Sequence, residues 1–277
     1  MVDGVPMSAL TAQAAQPRGT VVALHGGATT SAYFDCPGHP ELSLLRQAAG
    51  RGYGAIALDR PGYGASAGFD DAMGDPARRV ALAWGAVRRI APDGPVLLVG
   101  HSLGCELALR MAQPSAAIGP LTGVCLAGTG LDYQPAAREV LKHATATRRP
   151  AGLRDLLWEP VDLYPPAILG AVLSAPGAAY EGSVTATWAT RDFAELAAGV
   201  SVPVQFAAAE HEAVWDRSPG ALAAVTALFT AAARMEFLDV PDSSHNLSVT
   251  LAADRYHRGV LDFFDRCRSE SERRTSQ

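Results

Sequence analysis

At 277 residues, the chain is long enough for one large domain or two small ones. Hydrophobic residues make up 48% of it and charged residues 18%, which is typical of a soluble globular protein with a well-filled core. The net charge of −5 argues against a nucleic-acid partner, because phosphates are neutralised by stripes of Lys and Arg that this chain lacks.

The four cysteines do not have the spacing of a metal centre or a redox pair. They are Cys36, Cys105, Cys125 and Cys267. The first residues lack the basic and apolar stretches of a signal peptide, and no apolar run is long enough to cross a bilayer. We therefore expect a cytoplasmic protein with reduced thiols, no bound metal and no membrane partner.

Apolar, strand-like runs alternate with helical patterns along the chain. The predicted strands are residues 20–24, 55–58, 96–99, 123–127, 202–207 and 235–240, and residues 3–15 suggest a short antiparallel edge strand. The predicted helices are residues 41–51, 75–90, 104–111, 219–232 and 247–267. Most strands are continuous hydrophobic runs, as expected of parallel strands that are covered on both faces. The alternation predicts an α/β fold with a doubly wound, mostly parallel sheet.

Two glycine-rich turns follow the early strands. Gly26 and Gly27 come directly after the strand 20–24, where the absence of a side chain lets a backbone N–H approach a ligand closely. Residues 59–66 form a polar turn after the next strand. We expect Asp59 and Arg60 to stabilise the loops beneath a site.

The strand 96–99 runs into Gly100-His101-Ser102-Leu103-Gly104 and then into a helix. A strand that turns sharply into a helix lifts the Ser102 hydroxyl clear of the sheet, and glycines on either side allow the close packing that such a bend needs. The pattern predicts a catalytic serine. The N–H groups of Leu103 and Gly27 are the predicted donors to a negatively charged oxygen formed during the reaction.

Residues 131–199 contain no convincing strand. Short helical pieces are separated there by prolines, and a segment this long between two strands indicates an inserted helical subdomain. Over the carboxyl ends of the strands it would form an apolar lid above Ser102. The predicted organisation is thus a core of residues 1–130 and 200–268, a lid of residues 131–199, and a flexible polar tail of residues 269–277.

A serine nucleophile needs a base and an acid that orients the base. His245 follows the last predicted strand and precedes the C-terminal helix, which places it at the carboxyl edge of the sheet with Ser102. Glu212, after the strand 202–207, is the first candidate for the acid. Asp132 stays open as an alternative, whereas Glu210 and Asp216 fit the spacing less well. Two further histidines have other expected places: His101 supports the pocket, and His257 lies on the surface of the last helix.

These residues together resemble the α/β-hydrolase superfamily over essentially the whole chain. Ser102 matches the nucleophile elbow, His25-Gly26-Gly27 is similar to the oxyanion loop, and residues 59–66 resemble the D-x-P-G-x-G-x-S turn. His245 stands at the late histidine position, and the chain order Ser, acid, His also fits. Residues 209–212 depart from the usual G-E-x-D run, because Ala replaces Gly and Glu212 replaces Asp.

The resemblance implies an α/β-hydrolase fold and a cofactor-free serine hydrolase that acts on a small, largely apolar ester, thioester or lactone. A second hypothesis is a non-hydrolytic enzyme of the same fold, such as an acyltransferase, lyase or cyclase. A third is a non-catalytic ligand-binding relative. The sequence identifies neither the acyl substrate nor the oligomeric state.

Overall fold

The computed structural model describes residues 1–69, 73–116, 121–143 and 150–275. The strands are β1 (Ala9–Ala12), β2 (Thr20–Leu24), β3 (Gly54–Leu58), β4 (Val96–His101), β5 (Leu121–Ala127), β6 (Val204–His211) and β7 (Met235–Ser244). The helices are α1 (Leu44–Gly50), α2 (Pro76–Ile90), α3 (Gly104–Met111), α4 (Pro135–Leu141), α5 (Leu153–Trp158), α6 (Glu181–Thr187), α7 (Phe193–Ala198), α8 (Pro219–Leu228) and α9 (Ala253–Thr275).

The described strands form one seven-stranded sheet in the order β1-β3-β2-β4-β5-β6-β7. Only the edge strand β1 is antiparallel, to β3, and the other neighbours are parallel. The predicted α/β class and mostly parallel sheet are therefore confirmed. The chain leaves β2 in one direction to form β3 and later starts β4 on the other side. This switch point is where open parallel sheets bind ligands, outside the carboxyl ends of the strands.

Both faces of the sheet are buried, which explains the continuous hydrophobic runs. In β2, Val22 and Leu24 join a hydrophobic cluster on one face, while Val21 and Ala23 join the cluster on the other. Successive side chains of a strand point to opposite faces, so a strand covered on both sides needs an apolar residue at every position.

Several element ends differ from the sequence prediction. Strands β6 and β7 are longer than predicted because they stay paired through a register shift, as far as His211 opposite Ser244. Helix α1 begins only at Leu44, where the Ser43 hydroxyl accepts a hydrogen bond from the N–H of Arg46 and caps the helix. Helix α9 begins six residues later than predicted and continues through residues 269–275, which lie in the predicted tail.

The segment 131–199 contains helices and no sheet strand in its described part, which omits residues 144–149. Its contacts reach the loops at the carboxyl edge of the sheet. The N–H of Ala175 donates to the carbonyl of Ala28 at 3.0 Å, and the Trp188 indole N–H donates to the Thr129 hydroxyl at 2.8 Å. Whether it acts as a lid remains a prediction. Among the described residues, no helix combines the length and hydropathy that a membrane span requires.

Candidate active site

Ser102 stands at a sharp turn between β4, which ends at His101, and α3, which begins at Gly104. Its φ is +51°, a left-handed conformation that costs a non-glycine residue free energy and occurs where the surroundings enforce it. A hydrogen bond and the close packing of the following helix hold this conformation. The N–H of Ser102 donates to the carbonyl of Ala127 at 2.8 Å, and α3 packs so closely on β2 that a Cβ on Gly104 would lie 2.1 Å from the Leu24 carbonyl oxygen.

We expect Gly104→Ala to lower the free energy of unfolding by about 3 kcal/mol, because its methyl group would overlap a backbone that cannot move without shifting α3. Chemical denaturation would measure this change. Gly50→Ala is the matched control, since Gly50 is also helical and a Cβ there has no neighbour within 4 Å. Equal stability of the two variants would contradict the close packing described here.

His245 joins the serine to an acid. Its Nε2 lies 3.3 Å from the Ser102 Oγ, and its Nδ1 lies 3.0 Å from Oε2 of Glu212. The His245 and Glu212 residues are only 2% and 8% exposed. An Nδ1–H that donates to the carboxylate leaves the lone pair of Nε2 directed at the serine hydroxyl, the arrangement in which a neutral imidazole can accept its proton.

Of the four acids considered from the sequence, Glu212 is the one placed against His245. Its Oε1 also accepts hydrogen bonds from the backbone N–H groups of Val214, at 2.8 Å, and Trp215, at 3.4 Å, which hold the carboxylate in place. The alternatives lie elsewhere. Asp132 and Glu210 are exposed, and Asp216 accepts hydrogen bonds from Ser218.

The predicted oxyanion donors lie beside the serine. The position that a Cβ of Gly26 would take is 3.1 Å from the Ser102 Cβ, and that of Gly27 is 2.7 Å from the Leu103 side chain. Among the described residues, the N–H groups of Gly27 and Leu103 donate to no protein acceptor. The next N–H, of Ala28, is already bonded to the Tyr63 hydroxyl at 2.8 Å. Gly27 and Leu103 therefore carry free donors next to the serine.

The turn 59–66 supports these loops. The Asp59 carboxylate accepts hydrogen bonds from the Ser31 N–H and the Ser8 hydroxyl.

His101 stacks on Tyr33 with ring centroids 4.5 Å apart, and its Nε2–H donates to the carbonyl of His245 at 2.9 Å. Burial, and then the nearby His245, lowers the pKa of His101 to about 3, so this ring is neutral.

Two features of the molecule were not found from the sequence. Glu181, in the segment 131–199, bonds to Arg60, which also bonds to the Gly26 carbonyl, and no local pattern singles it out. His257, expected on the surface, is fully buried in α9. That expectation was wrong because α9 packs against both the sheet and α1, which covers more of its circumference than one face.

The comparisons with known proteins agree with this architecture. The sequence matches the Alpha/beta hydrolase family over residues 21–262, and the chain belongs to this family. A search of curated proteins finds no significant match. Among the described residues, no group of His, Cys, Asp and Glu could hold a metal ion.

Solved structures of similar fold include a thermostable carboxyl esterase from Bacillus coagulans, with a TM-score of 0.66 and 17% identity over 95% of this chain and 94% of that one. A monoacylglycerol lipase from Paleococcus ferrophilus has a TM-score of 0.64 and 16% identity over 96% and 99%. A bromoperoxidase from Bacillus anthracis has a TM-score of 0.66 and 15% identity over 95% and 97%. At these identities the likeness establishes the fold alone.

Proposed function

We propose that the protein is a serine hydrolase that cleaves a small, largely apolar carboxylic ester, thioester or lactone. The observation that carries this proposal is the continuous hydrogen-bonded relay from the Ser102 hydroxyl through the His245 imidazole to the Glu212 carboxylate. Such a relay withdraws a carboxylate and an imidazole from water, which costs free energy, and buried groups of this kind are concentrated at functional sites.

In the proposed reaction, the Ser102 Oγ attacks the carbonyl carbon while the Nε2 of His245 takes the hydroxyl proton. Glu212 stabilises the imidazolium that results. The N–H groups of Gly27 and Leu103 bind the oxyanion of the tetrahedral intermediate. His245 then protonates the departing alcohol or thiol, which leaves an acyl group on Ser102. A water molecule, deprotonated by His245, attacks this acyl-enzyme and releases the acid.

The segment 131–199 is proposed to act as the lid of this site. It contributes Trp188, which bonds to Thr129 after β5, and Asn246 in the core bonds back to the carbonyl of Leu157 at 2.8 Å. Several of its aromatic side chains are buried against the core, among them Tyr164, Tyr180 and Trp188. An aromatic cover over the serine favours an apolar acyl group and restricts water.

A fluorophosphonate tests the proposal directly, because it reacts only with an activated serine. We expect it to add one phosphonyl group to the folded protein, located at Ser102 by peptide mass spectrometry. The acid-denatured protein and Ser102→Ala should both stay unlabelled. A folded protein that hydrolyses p-nitrophenyl butyrate but carries no adduct at Ser102 would contradict the assignment.

A further inference from the structure

Arg60 lies buried beneath the oxyanion loop, with its residue only 1% exposed. Its Nη2 donates to the Gly26 carbonyl at 2.9 Å and to Oε1 of Glu181 at 2.5 Å. Its Nη1 donates to the Tyr180 hydroxyl at 3.0 Å, and the guanidinium lies over the Tyr63 ring at 4.9 Å. A buried cation needs such compensation, and here half of it comes from the segment 131–199.

The Gly26 carbonyl that Arg60 holds belongs to the same peptide group as the N–H of Gly27. A trans peptide is planar, so its carbonyl and its N–H point in opposite directions. The carbonyl is fixed by Arg60 and also by the Nδ1–H of His25, at 2.8 Å. These donors therefore set the direction of the Gly27 N–H, which is the proposed oxyanion donor. Glycine at positions 26 and 27 would otherwise let this peptide rotate freely.

Glu181 holds Arg60 in place from the first turn of α6. Its Oε1 accepts hydrogen bonds from Arg60 and from the Tyr63 hydroxyl, the latter at 2.6 Å. The same Tyr63 hydroxyl accepts the N–H of Ala28, the residue after Gly27. Both bonds therefore connect Glu181 to the oxyanion loop, one on each side of Gly27.

We propose that Arg60 and Glu181 are positioning residues, through which the docked segment 131–199 orients the Gly27 N–H toward the oxyanion. This inference rests on the proposed hydrolase function. It adds that the cover of the site also assembles part of the catalytic machinery, since two of the side chains that hold Arg60, Tyr180 and Glu181, belong to it.

Charge alone would predict that Glu181 slows the reaction. Its Oε2 lies 3.3 Å from the position that a Cβ of Gly27 would take, so the carboxylate stands close to the Gly27 backbone. A negative charge near the site repels a developing oxyanion. If repulsion dominated, Glu181→Gln would raise kcat. If positioning dominates, the weaker grip of a neutral amide on Arg60 should lower kcat, and we expect a decrease of about 5-fold.

The experiment compares Arg60→Met, Tyr180→Phe and Glu181→Gln in hydrolysis of p-nitrophenyl butyrate and in binding of a trifluoromethyl ketone, which forms a tetrahedral adduct with a catalytic serine. Loss of one oxyanion donor typically lowers kcat by about 100-fold or more. We therefore expect Arg60→Met to lower kcat by about 30- to 100-fold with little change in KM, and to weaken the ketone adduct by a similar factor. Tyr180→Phe keeps the ring and should lower kcat only a few-fold.

Arg79→Met is the matched control. Arg79 is 2% exposed and donates to Glu106 at 2.7 Å. It packs on the face of the Tyr180 ring at 4.1 Å, but among the described residues it donates no hydrogen bond to the Tyr180 hydroxyl or to the oxyanion loop. We expect Arg79→Met to lower the free energy of unfolding, because it removes the same kind of buried ion pair as Arg60→Met. Its kcat per titrated site should stay within about 3-fold of the original. The endpoint of fluorophosphonate labelling counts the competent sites in every variant.

The positioning role is overturned if Arg60→Met loses no more kcat per site than Arg79→Met, or if Glu181→Gln raises kcat. Should Arg60→Met fail to fold, Tyr180→Phe and Glu181→Gln test the proposal instead, because they keep the shape of the side chain. Unchanged kcat and unchanged adduct affinity in both would overturn the proposal. Failure of the hydrolase assignment itself is distinguishable, since Ser102→Ala would then remain active.

Discussion

Replacement of Ser102 or His245 by alanine is expected to lower kcat for ester hydrolysis by about 10⁵-fold. The double variant should be no slower than either single variant. The reason is that the attacking oxygen and the base act as one unit. The Ser102 Oγ, 3.3 Å from Nε2, is a poor nucleophile without the imidazole, and without the hydroxyl no acyl-enzyme can form for the imidazole to act on. Steady-state kinetics with p-nitrophenyl butyrate would measure these values.

Glu212→Gln should lower kcat by about 10³- to 10⁴-fold, since an amide that donates to Nδ1 favours the tautomer in which Nε2 carries the proton. Glu210→Gln is the control. It changes the same side chain two residues earlier, at an exposed position where the carboxylate bonds to the N–H of Asp242. We expect the activity of this control to stay within about 2-fold of the original.

A Ser102→Ala variant with more than about 1% of the original activity would refute the relay.

Acid should destabilise this protein, because three of its histidines are buried in neutral form. Burial lowers the pKa of His257 and of His101 to about 3, and burial together with the nearby Arg60 holds the pKa of His25 well below its ordinary value. In the unfolded chain these rings bind protons near pH 6.5. Below that pH the unfolded state therefore binds more protons than the folded state, and stability falls as the pH falls.

With a folded-state pKa of about 3, His101 and His257 each cost about 2 kcal/mol of stability at pH 5 relative to pH 8. His101 and His257 together remove about 4 kcal/mol, which is a large part of the stability of many domains, and His25 acts in the same direction. Urea titrations across this range should show the decrease. The loss levels off only near pH 3, where the folded protein begins to take up the same protons.

His257→Leu isolates one of these contributions. Both ring nitrogens of His257 are buried and without a hydrogen-bond partner among the described residues, so the ring can be replaced without leaving a polar partner unpaired. We expect the difference in stability between pH 8 and pH 5 to shrink by about 2 kcal/mol. His143→Leu is the control, because His143 is exposed to water and should leave the difference unchanged. If His257→Leu lost as much stability between pH 8 and pH 5 as the original protein, the buried ring would not contribute to the acid sensitivity.

The features that the sequence predicted correctly are those with a local cause. The strand before Ser102 and the helix after it are visible as an apolar run and a helical pattern, and glycines at 100 and 104 mark the turn between them. The placement of His245 and Glu212 follows once the strands before them are recognised, because parallel strands end at one edge of the sheet. Even the departure from the usual acid could be placed, since a glutamate after β6 can still reach the imidazole.

The missing features depend on distant parts of the chain. Arg60 and Glu181 are 121 positions apart, and the segment that carries Glu181 has no periodicity from which the direction of a side chain could be inferred. His257 is similar in kind. Its helix looks polar over its last two turns, so one buried ring in the first part is visible only when the packing of α9 is known.

The left-handed backbone at Ser102 has one more consequence. Glycine is the residue that this conformation favours, by about 1 kcal/mol or more over any residue with a side chain. Selection for stability alone would therefore favour glycine at the tip of β4. The serine found there lowers the stability of the native state by this amount, and in exchange it places a hydroxyl above the carboxyl edge of the sheet.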